Sequence, residues 1–137
     1  MRLCNPGNLR HSNSRWKGLA DEQTDKSFCR FTSPEMGYRA LWIVLRNYWH
    51  RHGLCMPSRI LRRYAPPSEN ETGHYIQHMW DLTGIAPDQV LPPPEECESL
   101  WEKFIMGITC IEQGMRMGEV DVHAIREGYR LAFGTDG

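Results

Sequence analysis

The sequence predicts an all-α fold with a loop-rich N-terminal segment, and three observations predict it. Apolar residues recur at helical spacing in five separate stretches. Most of these stretches are bracketed by helix start and stop signals, with Ser, Thr or Pro ahead of them and Gly behind. At 137 residues, 40% hydrophobic and 24% charged, the chain suits a single domain over 1–137, large enough for a real core.

Residues 1–32 are rich in Asn, Ser, Gly and Arg, with isolated Trp16, Phe28 and Phe31 and no helical period, which reads as irregular loops with room for a short hairpin. Thr32-Ser-Pro-Glu35 then supplies a capping hydroxyl, a proline for the first helical position and an early acid. The stripe Tyr38, Leu41, Trp42, Leu45, Tyr48 and Trp49 follows, and Gly53 stops it. A short helix from Ser58 carries Ile60, Leu61 and Tyr64 and breaks at Ala65-Pro-Pro67. Asn70 or Glu71 opens the next, striped by Thr72, Tyr75, Ile76 and Met79 and ended by Gly84. The proline-rich connection from Pro87 to Pro94 leads to a long helix over Leu100–Gly114, and a last helix runs from about Asp121 to Phe133 on Val122, Ile125, Tyr129 and Ala132.

The net charge of −1 hides an asymmetry: residues 1–68 hold twelve Lys/Arg against four Asp/Glu, and residues 69–137 hold four against thirteen. Arg39, Arg46, Arg51, Arg59, Arg62 and Arg63 either form a face for a polyanion or are complemented by the acidic half. No nucleic-acid motif accompanies them, so nucleic acid is not the expected partner. The apolar runs are too short for a membrane span, and MRLCNPGN lacks the apolar core of a signal peptide. Any action outside the cytoplasm would then depend on another delivery system. Five widely separated cysteines, none in a CxxC, give neither a zinc ribbon nor a complete disulfide framework, and Cys29 and Cys110 read as small core residues. His74 and His78 are four apart on one helix face but lack a third partner, so neither metal nor cofactor is expected.

The long helix carries the most informative residue. Trp101, Phe104, Ile105, Ile108 and Met115 read as a buried stripe, and Glu112 falls on the same face just before Gly114. A carboxyl held against an apolar wall favours its protonated form, the form a general acid needs. A wet helix end or a nearby arginine would also accommodate it.

Glu71-Thr72 followed by Tyr75, Ile76 and Met79 resembles the last motif of soluble lytic transglycosylases and goose-type lysozymes. Asn5-Pro-Gly-Asn-Leu-Arg10, Trp16-Lys-Gly18, Phe28-Cys-Arg-Phe31 and Pro34-Glu-Met-Gly-Tyr-Arg-Ala40 add to it, in an order similar to that of phage-virion and bacterial lysozyme-like domains. In that family the catalytic Glu ends an early helix. Here the matching helix is near the C-terminus, with Glu112-Gln-Gly114 as its end, so the resemblance implies a circularly permuted arrangement. Two departures stand: the glutamine loop of the transglycosylases has no clear counterpart, and Gln113 occupies the place of a serine.

The resemblance implies a peptidoglycan glycosidase, a lytic transglycosylase in preference to a lysozyme-type hydrolase, with Glu112 as acid and base and Tyr75 orienting it. Asn8, Arg10 and Asn70 suit sugar hydroxyls and peptide carboxylates, and Trp16 suits stacking on a sugar face. Phe31 and Thr72 join the substrate-binding set through their motifs, and Asp25 is the first candidate for a second carboxylate, ahead of Glu22 and Glu71. The implied partner is the peptidoglycan glycan strand, with an inhibitor protein if the chain is a secreted effector. The implied place of action is the periplasm or cell wall, reached by another system or as a virion component. The alternative is a catalytically silent wall-binding or virion structural module.

Overall fold

The structure is a computed structural model that describes residues 1–68 and 70–134. Its described residues form five α-helices: α1 (Pro34–His52), α2 (Pro57–Tyr64), α3 (Thr72–Thr83), α4 (Glu98–Gln113) and α5 (Val122–Phe133). Single 3₁₀ turns at Pro94–Glu96 and Met117–Glu119 flank α4. The all-α expectation holds, and the caps explain the boundaries. Ser33 accepts from the Met36 backbone N–H ahead of Pro34, and Asp121 does the same for Ala124. Gly53, Gly84 and Gly114 close α1, α3 and α4 in the left-handed conformation.

All five helices contribute to the main core, with α1 packed on α5, α3 on α4 and α2 on α3. Trp42, Trp101, Tyr38, Phe104, Leu41 and Leu45 are among the largest fully buried side chains. Trp42 donates its indole N–H to the Ile125 carbonyl at 2.9 Å and meets Tyr129 edge-on at 5.0 Å. The α1–α5 crossing is close because Gly128 has no side chain: a Cβ there would lie 2.7 Å from the Tyr38 Cβ. α3 packs against α4, which sets Tyr75 opposite the end of the helix that carries Glu112.

The N-terminal segment has no regular strand among its described residues. The expected hairpin is present only as two isolated antiparallel bridges, Arg10 with Phe28 and Leu19 with Phe31. The segment is nonetheless ordered by burial. Cys29, Phe31 and Ala40 form a second small apolar cluster, covered by Cys4, Leu9, Trp16, Leu19 and Met36. Asn5, only 1% exposed, is the polar centre of this region. It donates to the carbonyls of Leu9 and Cys29 at 3.0 and 2.8 Å and accepts from the Leu9 N–H at 2.9 Å.

No helix among the described residues is long and apolar enough to cross a membrane. Between the two halves of the sequence, His50 Nε2 lies 2.6 Å from a Glu95 carboxylate oxygen, whereas Arg126–Glu102 and Arg130–Glu127 pair within the acidic half.

Candidate functional site

Glu112 lies in the last turn of α4, half-buried, at the floor of a cleft of about 330 Å³. Gly7, Asn8, Leu9, Arg10 and Phe28 from the N-terminal loops form one wall. Tyr48 of α1, Arg63 and Tyr64 of α2, and Ala65, Pro66 and Asn70 of the following loop form the other. Glu112 is the only carboxylate among the described residues that line it.

Both oxygens of that carboxylate are held. Asn8 donates its amide N–H to Oε1 at 2.9 Å, and the Tyr75 hydroxyl donates to Oε2 at 2.8 Å. The apolar wall expected from the helix stripe is therefore not what the carboxylate meets. The stripe buries Ile105 and Ile108, but one turn later α4 reaches the edge of the core, and Glu112 emerges among polar groups. Burial, followed by the nearby Tyr64 and Glu112, raises the Tyr75 hydroxyl far above its ordinary value, so it remains a donor across the working range of pH. Tyr64 is raised in the same direction, by burial first and then by Glu112 and Tyr48.

The loop wall is shaped by backbone geometry. Asn8 has φ of 50°, in the left-handed region that Asn tolerates better than most residues. Its own N–H closes a turn on the Asn5 carbonyl at 3.1 Å. Tyr64 donates its hydroxyl to the Gly7 carbonyl, which ties the loop to α2, and a Cβ at Gly7 would collide with that hydroxyl. Two guanidinium–aromatic pairs flank the acid: Arg10 is 5.2 Å from the Phe28 ring centre, and Arg63 is 5.4 Å from that of Tyr48.

The structure thus brings together Glu112, Tyr75, Asn8, Arg10 and Asn70 from the sequence expectation. Four expected residues lie elsewhere. Phe31 is 2% exposed at the centre of the second apolar cluster, and Phe28, three positions earlier, presents its ring to the cleft instead. Trp16 is half-buried against that same cluster, outside the cleft lining. Thr72 is buried and its hydroxyl donates to the Ala65 carbonyl, closing the loop between α2 and α3. Asp25 accepts from the backbone N–H groups of Ser27 and Phe28, each at 2.9 Å, and stands 3.6 Å from Arg2. Those bonds lower its pKa and give it a turn-holding role away from Glu112.

Sequence reasoning missed Tyr48, Arg63 and Tyr64 as cleft residues. Tyr48 and Tyr64 read as stripe residues, because periodicity gives the face of a helix but not where that face leaves the core. His74 pairs with Glu71 at 2.6 Å on the exposed side of α3.

No protein-family model matches the chain. The chain is 34% identical over 94 residues to Protein P5 of Pseudoalteromonas phage PM2, an alignment covering 66% of this chain and 59% of that protein. The chain therefore spans about three fifths of the length of that relative.

Proposed function

We propose that the chain cleaves the glycan backbone of peptidoglycan as a lysozyme-like glycosidase, with Glu112 acting first as acid and then as base. The observation that carries this reading is a carboxylate held from both sides by neutral donors, Asn8 and Tyr75, in a cleft walled by polar and aromatic side chains. Once protonated, a carboxyl group fixed in this way can pass its proton to a glycosidic oxygen, and the carboxylate left behind can take one back without moving.

Glu112 is the one acid among the described residues that line the cleft, and a one-acid site favours the lytic route. In a first step the protonated Glu112 gives its proton to the bridging oxygen as the C1–O bond breaks, leaving an oxocarbenium-like ring. In a second, the sugar's own C6 hydroxyl oxygen bonds to C1, and its proton returns to Glu112. Two-carboxylate hydrolysis needs a second acid about 5–10 Å away across the ring. Asp25, Glu22 and Glu71 do not line the cleft, which supports the one-acid route over hydrolysis. The phage origin of the relative supports a virion component; action at a bacterial wall, delivery there by another system and, for an effector, an inhibitor protein are part of the same proposal.

The test is mass spectrometry of muropeptides released from purified sacculi. Released fragments should carry 1,6-anhydro-muramic ends, one water lighter than hydrolytic products. Fragments with reducing ends only would make it a hydrolase. Tight binding to sacculi with no release would make it a silent wall-binding module.

A further inference from the structure

Gln113, next to the acid, is the last residue of α4 and is half-buried. Its amide nitrogen lies 3.0 Å from the Asn5 carbonyl, 3.3 Å from the Pro6 carbonyl and 3.3 Å from Asn8 Oδ1. Two of these three partners are backbone carbonyls, which only accept, so the NH₂ end of Gln113 must face them. The same end then faces Asn8, which must present its oxygen. That leaves the Asn8 NH₂ group for the other side, where it reaches the Glu112 carbonyl at 3.2 Å and Glu112 Oε1 at 2.9 Å. The Glu112 carbonyl, again only an acceptor, agrees with this orientation. The chain of donors runs one way, from Gln113 through Asn8 to Glu112, and it is anchored at both ends by backbone carbonyls.

From this geometry we infer that Gln113 is a positioning residue for the reaction proposed above: it fixes which end of the Asn8 amide the acid sees. With the oxygen of Asn8 turned toward it, Glu112 Oε1 would face a second acceptor, and the ionised form needed after the first proton transfer would lose a donor. Gln113 makes no cleft contact of its own; it lines a separate hollow of about 150 Å³ beyond Asn8. Its influence on the chemistry passes through Asn8. Tyr75 from α3, Tyr64 from α2, Tyr48 from α1 and the guanidinium groups of Arg10 and Arg63 are the other titratable or charged groups around the carboxylate; Tyr64 and Tyr75 stay protonated donors.

Two variants and one measurement on the unaltered chain test this. Gln113→Leu removes the constraint while leaving the cleft lining intact, so kcat on sacculi should fall about tenfold with KM little changed. Gln113→Glu places an acceptor where the donor was and should turn the Asn8 amide over. The alkaline limb of the pH–rate profile should then move to higher pH, because the protonated acid gains a partner and the ionised acid loses one. In the unaltered chain, NMR should show the Asn8 side-chain NH₂ protons protected from exchange, with shifts that follow the ionisation of Glu112. Unprotected Asn8 amide protons that ignore Glu112, or a Gln113→Leu enzyme with full kcat, would overturn the inference. If the unaltered protein cleaves no glycan, the functional reading fails and this inference with it. The NMR result separates that outcome from an amide that was never held.

Discussion

The helical body and the N-terminal loop segment both hold the Glu112 carboxylate, and they are built on different physics. The body, α1 to α5, is organised by apolar periodicity: Trp42, Trp101, Phe104 and Ile108 are wholly buried, and the helix ends are marked by Ser, Asp, Pro and Gly. The loop segment has a small apolar cluster, and its shape rests on one buried asparagine, two bridges and a left-handed Asn8. The body contributes the acid and the Tyr75 hydroxyl; the loops contribute the second donor and one wall of the cleft. A group for chemistry can thus be placed by a helix, while its surroundings are set by backbone hydrogen bonds with no periodic signature.

Breaking the shared point should have the largest effect. Glu112→Gln keeps the side-chain shape but removes the transferable proton, and wall cleavage should fall by roughly 10²–10⁴-fold with a melting temperature close to the unaltered value. Turbidity loss of sacculi and thermal denaturation measure the two together. Retention of near-full activity would remove Glu112 from the mechanism, and unfolding would make it a structural hub.

Next in size is damage to the body. Trp42→Ala should cost about 3–5 kcal/mol in denaturant unfolding, because it empties the α1–α5 contact and removes the indole N–H that the Ile125 carbonyl accepts. Helical circular dichroism and activity should be lost together.

Asn5→Ala sharpens the contrast from the other side. It leaves the Leu9 and Cys29 carbonyls and the Leu9 N–H without their partner, at a cost of about 2–3 kcal/mol. Here cleavage should drop while helical circular dichroism persists, since the disturbance is confined to the loops. Loss of helix in parallel would mean that the two regions fold as one unit.

The smallest effect belongs to Asp25. Its pKa is lowered, first by the Phe28 and Ser27 N–H groups, so its contribution to the loops is complete above its ordinary value of 3.8 and is lost as pH falls through the lower folded value. Asp25→Asn should flatten that acid-side loss in amide exchange of residues 27–28 and cost far less activity than Glu112→Gln. A loss of cleavage as large as that of Glu112→Gln would bring Asp25 back as a second catalytic carboxylate.

The sequence by itself determined the helices, their ends and the helix face that carries Glu112, because burying a stripe at helical spacing and satisfying helix-end hydrogen bonds are local requirements. It also determined that Tyr75 lies on the inner face of α3, one turn before Met79. It did not determine which of Phe28 and Phe31 faces the cleft, since an irregular loop has no period to assign sides, and the structure buries Phe31 beside Ala40. Nor could it tell that Asp25 is consumed by two backbone N–H groups, or that Gln113, at the serine position of the resembled family, reaches back to Asn5, Pro6 and Asn8. Only the tertiary structure decided these. They depend on partners more than a hundred residues away in sequence, or on backbone turns whose direction is set when the loops are pressed against the finished helical body.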